Sequence, residues 1–350
     1  FTALHATYSF GILFWDKWLK GKVEDWMSVE MVGRAHGVHF YIRLQESYRN
    51  LVESSIYAQY PDAEIVEVQD YTDQFPPALP NKNYDVWGTD FVLARENGYP
   101  ILTYPNFEEP GKIEEERRID PIANITEVMS NLKESEAIWL QLLIRPTGDV
   151  WKKEAEVLID DLSGKKTAPK KGIIESFVGG LGEFIANLIA APLSPPIWAV
   201  PGEAKPTLTE QTTSKRHLID PIQTKISKFG FESVLRFVYI DQRDSFTRSN
   251  IVAVMGGLRQ FSTQHLNAFK PNLQSMTIAK GLFKKSKLMR KKQFLYSNYR
   301  IRHFPKKFMV LNTEELATIY HFPITGVRAT LLQRIESKRG GPPPELPIQI

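Results

Sequence analysis

The stretch Ala137-Ile-Trp-Leu-Gln-Leu-Leu-Ile144 is apolar at nearly every position. A strand with one covered face alternates apolar and polar side chains, whereas a strand covered on both faces has a continuous apolar sequence. The stretch therefore predicts the central strand of a sheet that is covered on both sides.

Patterns upstream of this strand predict further elements of the same sheet. Gln45–Tyr60 has apolar side chains at helical spacing, and Glu64–Gln69 alternates with the period of a strand. The dipeptide Asn97-Gly98 strongly favours a tight turn, which predicts a hairpin between Val86–Arg95 and Tyr99–Tyr104. We expect residues 1–162 to form an α+β domain in the ferredoxin-like style, with helices on one face of a sheet.

The second part of the chain predicts a similar unit after a break in composition. Residues 163–215 are rich in Lys, Pro, Gly and Thr, which predicts a linker or an insertion. A strand at Phe231–Ile240 and a helix at Ser249–Phe261 then repeat the earlier arrangement, within a second half at 216–325 that carries a basic insertion at 274–307. The predicted fold class is therefore α+β, with two ferredoxin-like α/β-sandwich halves and a Pro/Gly-rich insertion between them.

The composition is typical of a water-soluble globular protein. Of the 350 residues, 42% are hydrophobic and 24% are charged, and the formal net charge is +4. The complete lack of cysteine excludes disulfides, iron-sulfur clusters, cysteine zinc sites and thiol catalysis. No apolar run reaches the length of about 18 residues that a simple membrane-spanning helix needs. These features predict a cytoplasmic location.

Candidate motifs for nucleotide binding, catalysis and metal binding lack the residues or the spacing that such sites need. A phosphate-binding loop needs Gly, four residues and then Gly-Lys-Ser/Thr, but Gly164-Lys-Lys-Thr167 lacks the upstream glycine. The sequence has no Gly-x-Ser-x-Gly motif of a serine hydrolase. His36 and His39 lie three positions apart at the start of a predicted strand, so they point to opposite faces and are poorly placed to share one metal ion. We therefore expect no catalytic residue, no metal site and no cofactor in this chain.

The segment Lys280–Lys307 is strongly basic and contains no acidic residue. Its candidate nucleic-acid-binding residues are Lys284, Lys285, Lys287, Arg290, Lys291, Lys292, Arg300 and Arg302. The aromatic residues Phe283, Phe294, Tyr296, Tyr299 and Phe304 are interleaved with them. Cations displace counterions from a phosphate backbone, and aromatic rings stack on unpaired bases. DNA binding, contact with anionic lipid or an acidic protein, and a merely solvated surface all remain open.

Residues 173–191 predict an amphipathic helix within the insertion. Its apolar side chains alternate at steps of three and four, and they are candidates for contact with a membrane or a partner: Ile174, Phe177, Leu181, Phe184 and Leu188. The opposite side of this helix is acidic, whereas helices that lie on a membrane surface usually have a basic polar face. Packing on the protein itself or on a neighbouring subunit is therefore favoured over lipid contact.

Six segments of the chain resemble a known protein family. They are Gly21–Glu30, His39–Arg43, Val52–Ile65, Asp120–Ala123, Trp139–Pro146 and Leu311–Pro323. Together they look like the N-terminal, non-motor region of an ATPase family known mainly from small-genome bacteria of the candidate phyla. That family is similar to the DNA-translocating ATPases of conjugation and type IV secretion. The resemblance covers nearly the whole chain except residues 163–210.

The resemblance implies a role in assembly and no chemistry. In that family a hexamer-forming, RecA-like motor domain that uses ATP and Mg²⁺ follows this region, and a membrane-spanning segment often precedes it. The phosphate-binding loop of the motor has no counterpart here, so no catalytic residue carries over. We therefore expect a non-catalytic platform at the inner face of the cell membrane, with residues 326–350 as a Pro-rich connector to the motor.

The expected partners are the protein's own C-terminal ATPase domain, neighbouring subunits in a possible hexamer, membrane or secretion-channel proteins, and DNA. Two alternatives stay open. The first is a stand-alone nucleic-acid-binding protein, and the second is a protein-only scaffold of a secretion or pilus apparatus.

Overall fold

The computed structural model describes residues 1–8, 25–35, 37–107, 120–163 and 209–322, with side chains in the last range from residue 217 onward. The predicted amphipathic helix at 173–191, with its candidate contact residues, and the predicted connector at 326–350 lie outside these residues.

Within the described ranges the chain forms seven strands, seven α-helices and four short 3-10 helices. The strands are β1 Met27–Arg34, β2 Gly37–Arg43, β3 Tyr84–Leu93, β4 Ala137–Pro146, β5 Gly230–Gln242, β6 Phe269–Pro271 and β7 Met309–Asn312. The α-helices are α1 Arg49–Tyr57, α2 Ala123–Ser130, α3 Val150–Ser163, α4 Thr209–Ile226, α5 Ser249–Arg259, α6 Lys284–Arg300 and α7 Thr313–Ile319. The 3-10 helices are Ala3–Thr7, Glu46–Tyr48, Tyr71–Gln74 and Tyr104–Phe107.

All seven strands join one antiparallel sheet. Their order is β2-β1-β4-β5-β3-β6, and β7 pairs with the beginning of β5. The central pair, β4 and β5, is in register from Ala137 opposite Ile240 to Pro146 opposite Phe231. The prediction of a mixed α+β fold is therefore confirmed.

The central strand β4 is covered on both faces, as its sequence predicts. Ile138 and Leu140 point into one core, which also contains apolar side chains of α2 and α5. Ala137 and Trp139 point into a second core on the opposite face, which α6 covers. This second cover comes from residues 284–300, outside the predicted 1–162 domain, and it is a helix with an apolar side in a strongly basic sequence.

The described parts of the two predicted halves share one sheet and its cores. Strand β3, from residues 1–162, lies between β5 and β6, which come from residues 216–325. The segment 274–307, predicted as an insertion, supplies α6 to the second core. This position fixes the basic helix directly against the sheet.

Two predicted strands have a different structure. Residues 64–69 run between elements without pairing to another strand, and Val66 and Val68 are largely exposed. The predicted second arm of the hairpin, Tyr99–Tyr104, is not a strand, and β3 pairs with β5 and β6 instead.

A candidate basic interface on helix α6

Helix α6 has a buried side near its C-terminal end. Tyr296 and Tyr299 are buried in the second core, with ring centroids 6.1 and 5.0 Å from that of Trp139. After the helix, the ring of Phe304 lies under the Arg145 guanidinium, whose carbon is 4.4 Å from the ring centroid. These three predicted stacking residues are therefore engaged within the protein itself.

The N-terminal part of α6 carries exposed cations and exposed aromatic rings. The exposed cations are Lys284, Lys285, Lys287 and Arg290, and they form no ion pair with any residue in the described ranges. Two aromatic residues lie among them, and they are 78% and 65% exposed, respectively: Phe283 and Phe294. We call this region the α6 surface, and its members are Phe283, Lys284, Lys285, Lys287, Arg290 and Phe294.

The first turn of α6 places positive charge where the helix itself is positive. No side chain caps the helix, and its first turn contains Lys284 and Lys285 but no acidic residue. Cations near the positive end of the helix dipole are unfavourable by about 0.3–1 kcal/mol each. Phe283, the N-cap residue, has φ 59°, a left-handed conformation that bulky side chains rarely adopt. An anion bound here would offset the unfavourable charge.

Two of the predicted nucleic-acid-binding lysines attach α6 to the rest of the fold. The Nζ of Lys291 donates to the main-chain oxygens of Leu273 and Met276, at 2.9 and 3.1 Å. Lys292 forms an ion pair with Asp85 at 2.6 Å, at the start of β3. Their ammonium groups are therefore partly used inside the protein.

The two predicted arginines at the end of α6 are also paired. Arg300 binds Asp73 at 2.6 Å. Arg302 is buried, and its guanidinium donates to both carboxylate oxygens of Glu30, at 3.0 and 3.1 Å, and to Asp70. Burial lowers the pKa of Arg302, but the hydrogen bonds to Asp70 and the charge of Glu30 outweigh it and hold the pKa above its ordinary value. Arg302 therefore stays charged and belongs to the support of the helix.

A row of polar side chains crosses the sheet beneath the end of α6. Glu30, Gln141, Arg236 and Asp90 are direct cross-strand neighbours on β1, β4, β5 and β3. Gln141 donates to Glu30 at 2.8 Å, and Arg236 donates to Gln141 at 2.8 Å and to Asp90 at 2.6 Å. Every link in the row is thus a hydrogen bond or an ion pair.

The same row binds the backbone of α6. Arg236 donates to the main-chain oxygen of Asn298, and Gln141 donates to that of Tyr299, both at 3.1 Å. The last carbonyls of a helix lack partners within it and form its negative end, so a buried arginine there is favourable. We call Glu30, Asp70, Gln141, Arg236 and Arg302 the helix mount.

Two tyrosines beside the helix mount extend its hydrogen bonds. The hydroxyl of Tyr71 donates to Glu30 at 2.7 Å and lies 2.7 Å from the hydroxyl of Tyr299. Burial, together with the charge of Glu30, raises the pKa of both tyrosines well above the ordinary value. Both therefore remain neutral and act as hydrogen-bonding groups.

Comparison with known proteins places the chain in a family. The family model described as "Domain of unknown function (DUF8128)" matches residues 15–330. The chain belongs to this family. No curated protein and no solved structure matches it. The matched range contains the sheet, the helix mount and the α6 surface.

Neither a metal site nor a membrane-spanning helix is found among the described residues. In that part of the chain, no group of three or more His, Asp or Glu residues is arranged to hold a metal ion. None of the described helices combines the length and the apolar character needed to span a bilayer.

The helix mount is the part of the site that sequence reasoning missed. Its signal is present in the sequence, since Gln141 interrupts the apolar run Ala137–Ile144 and Arg236 interrupts the apolar run Val234–Ile240. A polar residue inside a doubly covered strand must find a buried partner. That rule identifies Gln141 and Arg236 as members of a network, although the sequence does not give their partners.

Proposed function

We propose that this chain is a non-catalytic assembly domain that binds DNA through the α6 surface. The observation that carries the proposal is the presence of Lys284, Lys285, Lys287 and Arg290 on one exposed part of a helix, without ion-pair partners among the described residues. Cations of this kind release counterions from a phosphate backbone, which drives binding that does not depend on sequence.

The helix mount supports the same proposal. A binding surface gains affinity when it is already fixed in its bound arrangement, because less conformational entropy is lost on binding. The buried contacts of Arg302 and Arg236 fix the C-terminal end of α6, whereas Lys291 and Lys292 fix its middle. The cations at the other end are thereby presented on a helix with one defined position.

The wider biological role rests on the family resemblance of the sequence. The domain would act as the platform of a membrane-associated ATPase of the type IV secretion or conjugation type, at the cytoplasmic face of the membrane. ATP and Mg²⁺ would be used by a motor domain of the same protein. If the natural reading frame continues beyond Ile350 into a Gly-x-x-x-x-Gly-Lys-Ser/Thr loop, the proposal is supported; a stop codon directly after Ile350 would contradict it.

We also infer that the sheet derives from two related halves of ferredoxin-like type. In support, β4 lies between α2 and α3 in the chain, and β5 lies between α4 and α5. The central strands are antiparallel, α2 contacts α5, and α3 contacts α4. A two-fold rotation between the central strands would exchange the two units and preserve these contacts. An experimental structure in which the units do not superpose after that rotation would contradict the inference.

DNA binding can be tested by fluorescence anisotropy with a labelled oligonucleotide. The test variant replaces Lys284, Lys285, Lys287 and Arg290 by Gln. A matched control replaces four other exposed cations by Gln and removes the same charge: Lys133, Lys153, Arg248 and Arg259. We expect the test variant to lose most of its affinity and the control to retain it. Equal loss in both variants would show that only net charge matters and would overturn the proposed interface.

Two other functions remain as alternatives and make different predictions. A stand-alone nucleic-acid-binding protein would bind DNA in the same way, but its reading frame would not continue into a motor domain. A protein-only scaffold would bind no DNA, and the α6 surface would instead bind an acidic protein.

A further inference from the structure

The arrangement of side chains along α6 indicates which form of nucleic acid it fits. Lys287, Arg290 and Phe294 are separated by steps of three and four residues, so they lie along one face of α6. Phe283 is the N-cap residue, four positions before Lys287, and we call these four residues the stripe. At 1.5 Å per residue the Cα atoms of Phe283 and Phe294 are about 16 Å apart along the axis. Lys287 and Arg290 lie between them, and all four side chains are exposed.

We infer that this stripe binds single-stranded nucleic acid, with the two phenylalanine rings stacked on bases and the two cations on the intervening phosphates. This inference rests on the proposed function, because it concerns the same surface. It adds the class of ligand and assigns separate roles to the aromatic and the cationic side chains.

The exposed rings favour a single strand over a duplex. In a duplex the faces of the bases are stacked on one another, so the outer surface offers mainly phosphates, sugars and groove edges. A single strand exposes the faces of its bases, and stacking on an aromatic side chain contributes about 1–3 kcal/mol per base. Only the single strand therefore uses Phe283 and Phe294 together with the cations.

The position of the cations favours nucleic acid over a membrane surface. Helices that lie on membranes have a continuous apolar face, with cations on the opposite, polar face. Here Lys287 and Arg290 interrupt the stripe between Phe283 and Phe294. Inserting both rings into lipid would bring these two charges to the same depth, whereas a chain of alternating bases and phosphates matches the order of the stripe.

The conformation of Phe283 gives independent support. Its φ of 59° is unfavourable for a bulky residue, yet its side chain is 78% exposed. Conformational strain of about 1–3 kcal/mol persists where the surroundings impose it, and such strain is concentrated at functional sites. Burial of the Phe283 ring does not offset this strain, so the exposed ring is available to stack on a ligand.

The test compares three labelled probes: an oligothymidylate, a duplex of the same length, and an abasic single strand that keeps the phosphates but lacks the bases. The main variant is F283A/F294A. The charge variant is K287E/R290E, and the control is Y57A, which removes a 41% exposed ring from α1. Circular dichroism and thermal unfolding establish that each variant is folded.

The wild-type protein should bind the oligothymidylate more tightly than the other two probes. F283A/F294A should lose at least about tenfold in affinity for the oligothymidylate, with little change for the duplex and the abasic strand. K287E/R290E should weaken the binding of all three probes, and Y57A should behave as the wild type.

Three outcomes would overturn the inference. If F283A/F294A binds the oligothymidylate as the wild type does, while K287E/R290E does not, DNA binding stands but base stacking is wrong. If no probe binds, the proposed function fails together with the inference. If no probe binds, but the wild type binds vesicles of phosphatidylglycerol and F283A/F294A does not, the stripe is a membrane contact.

Discussion

Arg302 and Glu30 form a buried, two-point ion pair between the end of α6 and strand β1. The Nε and Nη2 atoms of Arg302 lie 3.0 and 3.1 Å from the two carboxylate oxygens of Glu30, across 272 positions in the sequence. Both side chains are almost completely buried, at 5% and 1% exposure. This pair connects the basic helix to the strand that neighbours the central strand of the sheet.

Removing one partner of this pair should strongly destabilise the protein. Arg302→Met leaves the buried carboxylate of Glu30 without its cation, and such losses typically cost about 3–5 kcal/mol. We expect a loss of that order in the free energy of unfolding, measured by urea denaturation. In a double-mutant cycle with Glu30→Met, the two changes should couple by about 1 kcal/mol or more. Additive effects in the cycle would show that the contact contributes nothing specific.

Substitutions of the α6 lysines should fall into two groups according to their effect on stability. K291Q/K292Q removes the ion pair with Asp85 and two hydrogen bonds to main-chain oxygens. We expect this variant to lower the free energy of unfolding by about 1–3 kcal/mol. K284Q/K285Q removes no such contact, so its stability should be unchanged. It could also be slightly raised, because the repulsion between these two cations and the positive end of the helix dipole is removed.

DNA affinity should show the opposite ranking for these two variants. K284Q/K285Q should weaken binding more than K291Q/K292Q, as measured by anisotropy on samples that are fully folded. The reverse order of affinities would place the DNA contact at Lys291 and Lys292 and contradict the α6 surface.

Asp70 should make stability depend on pH in the acid range. Burial raises the pKa of its carboxyl, but the hydrogen bonds from Arg302 and Thr72 outweigh this effect and hold it below the ordinary value of 3.8. Because the pKa is lowered in the folded state, Asp70 contributes stability that is fully present well above pH 3.8 and is lost as the pH falls through the folded-state pKa. Asp70→Asn should therefore reduce the acid dependence of the urea midpoint below pH 4. A variant whose midpoint falls as steeply as that of the wild type would refute this assignment.

A second buried ion pair joins α4 to the start of α7. Lys225 and Glu315 are 3.1 Å apart with no exposed side-chain surface, and Glu315 also accepts from the main-chain nitrogen of Asn312 in a capping box. Burial lowers the pKa of Lys225, opposed by the charge of Glu315. Lys225→Met leaves this carboxylate without its cation and should cost about 3–5 kcal/mol of unfolding free energy. A Lys225→Arg control keeps the charge, so it should cost less; equal losses would indicate a packing effect alone.

The central part of the sheet could be predicted because its signal is local. The apolar run Ala137–Ile144 requires two covered faces whatever lies on them, and the structure confirms this prediction. The sequence could not show that a basic segment supplies the second cover. In α6 the buried side chains are few and lie near one end, so hydrophobic periodicity is weak over the whole helix.

The prediction of a strand at Glu64–Gln69 is wrong for a different reason. Alternation of side chains describes what a strand would present to its two faces, but a strand also needs a neighbour with free backbone groups. These six residues have no such neighbour in the described part of the chain. Likewise, the main-chain nitrogen of Ile101 donates to Glu315 at 2.9 Å in place of a hairpin partner. Such long-range choices are not encoded in a local pattern.

The cations of the candidate site were predicted as one group, and burial divides them. Sequence alone gives the charge of Arg302 but not the carboxylates of Glu30 and Asp70 that surround it. Only side chains without partners remain able to bind a phosphate at low desolvation cost. The α6 surface is therefore smaller than the predicted basic segment.

The salt dependence of DNA binding tests the α6 surface most directly. For a single strand, the slope of log K against log salt concentration is about −0.7 per phosphate contact, so loss of four cations should make it less steep by about 3. We predict this change when Lys284, Lys285, Lys287 and Arg290 are all replaced by Gln, and no comparable change in the control lacking Lys133, Lys153, Arg248 and Arg259. A slope that is the same in the wild type and the α6 variant would contradict the account.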